Sequence, residues 1–297
     1  MDAFNWNDLQ TFLAIARTGR LTVAAQRLNL DHSTLSRRLA SLEEALGVKL
    51  FDRRATGYTL TQEGEALIQE AESIESISLR LQTRLQDAQH SVSGTVRIGT
   101  PEGFGTWFLA ERLPCLMADH PQLEVELVAN PRHFSLSKRE ADLSIAMARP
   151  DHGRVHARKL VDYELGIYGA PSYLTRHDAI DSVAQLTQHK WVGYVEDLMW
   201  TPELNYFRGQ IPVIHPGIRI SNVISQLAAV RAGVGLGVLP CFMARGEAGL
   251  RQILPSQKIN RTYWIITHAD TCELARVKVM QQFLEREVAR EPLFWRI

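Results

Sequence analysis

Apolar residues recur at helical spacing from the start of the chain. Trp6, Leu9, Phe12, Leu13 and Ala16 share one face from Asn5 onward, and Gly19 stops that helix. A second, shorter helix is predicted with Thr22 as its N-cap, Ala24, Ala25 and Leu28 on its packed face, and Asn29-Leu30 turning the chain. Asp31 then caps a third helix through Leu46, because its side-chain oxygen can accept from the free N–H groups of the first turn. Leu35, Leu39 and Leu42 face inward on that helix; His32, Ser33, Thr34, Arg37, Arg38 and Ser41 are left facing out. Paired small residues at Ala24 and Ala25 let two helices cross steeply over a short turn, which is the steric demand of a helix-turn-helix. Past Gly47, the segments Val48–Arg54 and Gly57–Leu60 read as a short hairpin.

From residue 61 the pattern changes. Leu67, Ala71, Ile74, Ser78, Leu81, Leu85 and Ala88 alternate at spacings of four and three, a heptad seam broken only by small residues and one serine. Such a seam predicts a pairing helix over 61–91; a single amphipathic helix packed on its own domain is the alternative. Ser91-Val92-Ser93-Gly94 ends it. Beyond that hinge, strand-like runs at Thr95–Gly99, Leu123–Val128, Asp142–Met147, Glu164–Tyr168, Trp191–Val195, Gly217–Ile220, Gly235–Leu239 and Thr262–Thr267 alternate with helical ones, the latter including Val183–Leu186, Val223–Arg231 and Leu274–Glu287. Alternation of this kind predicts an α/β layered domain with largely parallel sheets. The spacing suits two lobes, one about 92–162 with 268–297 and the other about 163–267, with crossings near Lys159–Glu164 and Thr267–Ala269.

Composition bounds this picture. A chain of 297 residues, 45% hydrophobic and 22% charged, is ordinary globular material for more than one domain. No apolar run is long enough to span a membrane and no secretory leader is legible, so a soluble, cytoplasmic protein without a membrane partner is expected. Net charge is zero, yet it is a cancellation: residues 1–60 carry eight basic and six acidic side chains, and residues 61–91 carry two basic and six acidic. The segments are therefore expected to have different partners.

In a helix-turn-helix the second helix enters the major groove with its first residues on base edges. His32, Ser33, Thr34 and Arg37 occupy that place, and an arginine can bond bidentately to guanine. Thr22, Ser36, Arg38, Arg53 and Arg54 are candidates for the DNA backbone and wing. The alternative is a three-helix domain with merely solvated arginines. Against it stands the string itself: Ala24-Ala25, Leu35-Ser36-Arg37, Leu42-Glu43, Leu46-Gly47, Leu50-Phe51, Arg53, Leu60-Thr61 and Glu63-Gly64, in order and without gaps, resemble the DNA-binding domain of LysR-type transcriptional regulators. That family commonly begins its recognition helix with Ser-Gln-Pro, where this chain has Asp31-His32-Ser33. The departure bears on which bases are read; a protonated His32 would also make binding pH-dependent near neutrality.

The resemblance implies an α+β chain overall, with an N-terminal winged helix-turn-helix (1–60), a long linker helix (61–91) and a C-terminal two-lobed α/β effector domain similar to periplasmic binding proteins (92–297). Ser221-Asn222 through Leu239-Pro240 is the most recognisable stretch of that domain. It further implies dimerisation through Leu67, Ile74, Leu81 and Leu85, a homodimer or homotetramer on a pseudo-palindromic double-stranded operator, a small-molecule effector in the cleft, and access of RNA polymerase as the output. The crevice of an open α/β sheet lies where helix N-termini follow strands. Thr100, Glu102, Ser221 and Asn222 fit that description, and family architecture adds Asn130, Met147, Ala148 and Thr201. Small hydroxyls there suit an organic acid. Glu102 instead suits an amine or hydroxyl. Thr100 and Ser221 serve equally well as helix caps.

Other features carry less. His152 and His156 have a metal-like spacing but no helix around Pro150 and Gly153, and no metal or other cofactor is expected. Cys241 and Cys272 read as inert thiols, although the family includes oxidant sensors. The Gly233–Gly237 run enters a strand from a helix, the reverse of a phosphate loop. No catalytic constellation is found, so no enzyme is expected. A DNA-binding repressor with a vestigial cleft remains the main alternative, and a stand-alone solute-binding α/β protein the remoter one.

Overall fold

The computed structural model describes residues 5–54, 57–86, 92–130, 141–150, 155–207, 215–269 and 271–295. Two compact units divide between His90 and Ser91.

In the first unit, α1 (Trp6–Thr18) begins where the Asn5 side chain accepts from the Asn7 N–H and ends at Gly19, whose φ of 64° closes the helix. The second helix, α2, spans Leu21–Leu28. Arg20 holds its N-cap position with no side-chain cap, and Thr22 lies inside the first turn. The predicted Thr22 cap is thus two residues out: Leu21 is drawn into the helix because it is buried. Asn29 adopts the left-handed conformation that ends α2, which an Asn tolerates better than most residues. Helix α3 runs His32–Leu46 from the predicted Asp31 cap to Gly47. Leu9, Phe12, Leu13, Ile15, Ala24, Leu35, Leu39 and Leu42 form one buried core between the three helices.

The hairpin follows as β1 (Phe51–Arg54) and β2 (Gly57–Leu60), paired antiparallel. Phe51 seals it onto the helices, its ring 5.4 Å from that of Phe12. Gly57 is required at the turn: its φ is +135°, and a Cβ there would lie 2.4 Å from the Gly19 carbonyl oxygen. Thr61 then starts α4 (Gln62–Gln86), its hydroxyl accepting from the Gly64 N–H.

The predicted seam of α4 divides in two. Ala71 is fully buried in the three-helix core, with Leu67 and Ile68 packed against it, so its first turns belong to its own domain. Further along, Ile74, Ile77 and Leu81 are exposed. Ser78, on the predicted seam, is half-buried. The Leu85 side chain and Ala88 lie outside the described residues.

The second unit is built on a nine-stranded mixed sheet. Its strands are β3 (Gly94–Gly99), β4 (Leu123–Val128), β5 (Leu143–Ala146), β6 (Val155–Gly169), β7 (Trp191–Tyr194), β8 (Ile218–Ile220), β9 (Leu236–Pro240), β10 (Arg251–Ile253) and β11 (Ile259–His268). The hydrogen-bonded order is β4-β3-β5-β11-β6-β9-β7-β8, with β10 on β6. Outer strands pair in parallel, β4-β3-β5 at one end and β9-β7-β8 at the other. The expectation of largely parallel pairing fails in the middle, where β11 is antiparallel to β5 and β6, and β6 to β9 and β10. The reason is that β6 and β11 carry the chain between lobes in opposite directions. Residues 156–159 of β6 lie beside β11 residues that pair with β5, whereas 165–168 pair with β9. Both crossings therefore fall within strands. The return occurs near Asn260–Trp264, at a bulge between Tyr263 and Trp264, rather than near Thr267–Ala269.

Helices cover the sheet: α5 (Glu102–Phe104) passes through a π-helical turn (Gly105–Leu109) into α6 (Ala110–Asp119), followed by α7 (Pro171–Leu174), α8 (Val223–Arg231), α9 (Cys241–Ala244), α10 (Ala275–Arg290) and α11 (Pro292–Trp295). Val183–Gln188 is a 3-10 turn rather than an α-helix. Phe104, Phe108, Phe242, Tyr263 and Trp295 interlock at ring distances of 4.6–6.5 Å to form an aromatic core between α5, α11 and the crossing strands. Among the described residues no helix is long and apolar enough to cross a membrane.

Candidate DNA-reading head and effector cleft

The start of α3 is organised by one carboxylate. Asp31 accepts the Thr34 N–H at 2.8 Å, the Thr34 hydroxyl at 2.7 Å and the Ser33 hydroxyl at 2.6 Å. The Ser33 and Thr34 bonds hold the Asp31 carboxyl well below the usual carboxylate range. In this arrangement Ser33 and Thr34 offer a partner their oxygen lone pairs rather than their hydroxyl protons. His32 and Arg37 stand exposed on the same helix, while Ser36 and Arg38 are half-buried beside them. Thr22 is exposed on α2.

The hairpin is fixed to α3 by a residue whose role the sequence did not reveal. Glu43 is buried, accepting from Lys49 Nζ at 2.6 Å and from the Leu50 N–H at 2.9 Å. Burial pushes its carboxyl up, but those donors outweigh burial and leave it below the ordinary glutamate value. The Tyr58 N–H also donates to the Gly19 carbonyl at 2.9 Å, tying β2 to the end of α1. On this braced hairpin Arg53 and Arg54 are exposed, with the Arg53 guanidinium 5.7 Å from the Tyr58 ring centroid. An exposed helix start and a hairpin carrying two exposed arginines, both packed on one three-helix core, offer the chemistry to take a groove and its flanking phosphates.

In the second unit a cavity of about 40 Å³ opens between the lobes. It brings together Glu102, Asn130, Met147, Ser221 and Asn222, five of the residues singled out from sequence. Thr100 and Thr201 do not line it. Thr100 is buried, its hydroxyl turned against Gly105 and without a hydrogen-bond partner among the described residues. The Thr201 hydroxyl donates to Glu203, and its neighbour Trp200 lines the cavity instead. Sequence reasoning also missed Tyr194, Tyr206 and Tyr263, which come from three separate segments and meet only in the folded lobes. The Tyr194 and Tyr206 rings meet edge to face at 5.6 Å. Burial pushes the Tyr206 phenol up to about 12. At Gly103 a Cβ would lie 2.7 Å from the Met243 sulfur, so α5 approaches α9 closely behind the cavity.

Away from the cleft, Cys241 is fully buried, and burial raises its thiol above the ordinary range. That is the opposite of an activated thiolate. Cys272 donates to the Ala269 carbonyl. His156 lies in β6, and His152 is outside the described residues.

Comparison with known proteins adds to this geometry. Residues 6–65 match the bacterial regulatory helix-turn-helix protein, lysR family, and residues 89–289 match the LysR substrate binding domain. The HTH-type transcriptional regulator PtxR of Pseudomonas aeruginosa is 27% identical, covering 98% of this chain and 96% of that protein. The iron-regulated virulence regulatory protein IrgB of Vibrio cholerae is 28% identical over 80% of each. Among solved structures, CrgA of Neisseria meningitidis matches 96% of this chain and 99% of its own at a TM-score of 0.60 and 22% identity. A full-length OxyR variant of Pseudomonas aeruginosa matches 96% and 98% at 0.72 and 19%. These two likenesses bear on the fold. With a reading head and an effector domain that both match, over well more than half its length, the chain belongs to the LysR-type transcriptional regulators, DNA-binding proteins controlled by a small-molecule effector rather than enzymes.

Proposed function

We propose that the chain reads a pseudo-palindromic operator as a dimer, or a dimer of dimers, through the exposed start of α3. His32 and Arg37 make the base contacts that need a donor, and Ser33 and Thr34 contribute as acceptors. Thr22, Ser36, Arg38, Arg53 and Arg54 hold phosphates or the minor groove. The observation that carries this reading is the pairing of the Asp31-capped helix start with the Glu43-braced hairpin. Residues 1–60 act as the reading head, 61–91 as the pairing helix and 92–297 as the sensor.

The exposed stripe Ile74, Ile77, Leu81 supports pairing of two α4 helices, with Leu85 continuing the seam. Leu67 serves the intramolecular core. A two-fold pair sets two recognition helices on two half-sites. The sensor cleft, with Glu102, Asn130, Met147, Ser221 and Asn222 on its walls, takes an effector whose different affinities for two states shift the spacing of the reading heads and so the access of RNA polymerase. Thr100 acts behind the cleft wall and Thr201 beside it. The protein works in the cytoplasm, where its DNA target is. Genome-wide mapping of bound sites followed by footprinting tests this: two protected half-sites on one face of the duplex are expected, and a single unpaired half-site would contradict the dimeric mode.

A further inference from the structure

The start of α3 holds a chemical bias that its residue types alone do not carry. Resting on the reading of this helix start as the base-contacting surface, we infer that Asp31 is a positioning residue for sequence choice. It commits Ser33 and Thr34 to accepting hydrogen bonds, so that each half-site presents adenine or cytosine, and not guanine or thymine, where they reach the base edges.

A free serine or threonine hydroxyl turns to donate or to accept and so tolerates any base. Here both protons are taken. The Ser33 hydroxyl donates to Asp31 Oδ1 at 2.6 Å and the Thr34 hydroxyl to Asp31 Oδ2 at 2.7 Å, in the range of charge-assisted bonds. The Thr34 N–H takes a second place on Oδ1 at 2.8 Å, which fixes the carboxylate against the first turn. With three of roughly four acceptor places filled, Asp31 acts through the two hydroxyls more than by itself. Those bonds, the one from Ser33 first, hold its carboxyl below the usual range, so it stays an acceptor at any neutral pH.

In the major groove every base pair carries one amino group, on adenine N6 or cytosine N4, whereas guanine and thymine offer that face only acceptors. An acceptor held in a fixed place therefore reads which strand bears the amino group. Ser33 precedes Arg37 by one turn, and both are exposed on α3. Four residues of helix rise about 6 Å, close to two base steps of about 3.4 Å. The pattern that fits is a guanine for Arg37 with an adenine or cytosine about two steps away. The exposed Asp31 charge also opposes the phosphates of any duplex, a penalty independent of sequence that disappears with the charge.

The test uses the full-length protein, a randomised duplex library to define the preferred half-site, and duplexes carrying each single-base change. Asp31→Asn keeps an oxygen for the Thr34 N–H, while its amide group replaces the second acceptor and removes the charge. It is expected to lose about fivefold or more of the discrimination for adenine or cytosine at one position in each half-site. Guanine discrimination by Arg37 should persist, and non-operator duplex should bind about twofold or more tightly. Ser33→Ala, at an exposed position that leaves the Asp31 cap on Thr34 in place, should relax the same position, and it decides the matter alone if melting curves show Asp31→Asn unfolded. Guanine or thymine preferred by wild type at the position that Ser33→Ala relaxes overturns the inference. So does Asp31→Asn with wild-type preference at every position, or with all positions relaxed alike, the mark of a merely structural cap. Those outcomes leave α3 as the reading helix. Failure of wild type to select any half-site, or of Arg37→Ala to alter any base preference, overturns that underlying reading and the inference with it.

Discussion

Arg17 on α1 grips Glu75 on α4 through two parallel bonds, Nη1 to Oε1 at 3.1 Å and Nη2 to Oε2 at 2.6 Å. Glu72 stands 3.7 Å away on the same guanidinium, and all three side chains are mostly buried. A basic residue of the reading head is therefore committed to the acidic linker helix instead of DNA. Part of the charge segregation along the sequence is thus neutralised inside one unit. The fork geometry also fixes the direction in which α4 leaves the three-helix core, because a bidentate arginine pair constrains orientation as well as distance.

Replacing Glu75 with alanine is expected to lower stability by about 1–3 kcal/mol, since the arginine would be left partly buried with only Glu72 at longer range. Urea denaturation of the full chain, monitored on the helical signal, measures this. An unchanged midpoint would mean that solvent screens the pair completely.

Glu43 gives the stability a pH dependence of known sign. Its carboxyl is held below the ordinary glutamate value of 4.5 in the folded state. The contribution is therefore complete above about pH 4.5 and is lost as the pH falls through the lowered folded value. Glu43→Gln should cost about 1–2 kcal/mol at pH 7 by loosening the Lys49 and Leu50 bonds. The gap to wild type should narrow as the pH drops below 4.5. A gap that is constant from pH 7 to pH 3 would assign the loss to packing alone.

Gly57→Ala places a methyl group against the Gly19 carbonyl at a backbone angle that side chains rarely adopt. A loss of about 1–3 kcal/mol is expected, along with weaker operator binding as the hairpin shifts. Fluorescence anisotropy on labelled operator reads the second effect. Full affinity in a destabilised variant would detach the hairpin from DNA contact.

The exposed half of α4 predicts a difference between neighbours. Ile77→Asp and Leu81→Asp should shift the protein toward monomer in sedimentation while leaving each chain folded, because both side chains are exposed within one chain. Ala71→Asp should instead unfold the reading head, since Ala71 is fully buried in it. An unchanged oligomer in the Ile77 and Leu81 variants would reject pairing through this stripe.

The reading head was legible residue by residue because its signals are local. Asp31, Gly19 and Gly47 act within one turn of where they sit, and the 3.6-residue period places Leu35, Leu39 and Leu42 without knowledge of the tertiary fold. Thr22 misled because burial of Leu21 decided where α2 begins. A heptad pattern does not say which partner a helix packs against first, so the burial of Ala71 in the core of its own domain was not legible from the seam. In the second unit the strands other than β10 were found but their directions were not, since the length of β6 and β11 emerges only from their pairing with each other, far apart in sequence. Tyr194, Tyr206 and Tyr263 carried no motif, and Thr100 lies buried off the cavity lining, which its place after β3 did not foretell.

Base reading by α3 and backbone grip by the hairpin separate in one experiment: competitive binding of wild type, Arg37→Ala and Arg54→Ala to a library of operator variants at fixed salt. Arg37→Ala should lose about 1–3 kcal/mol on the preferred sequence and relax discrimination at one position in each half-site. Arg54→Ala should weaken every sequence alike and reduce the salt dependence by about one phosphate contact. Binding of both variants with wild-type affinity and sequence preference would contradict the assignment of this surface to DNA.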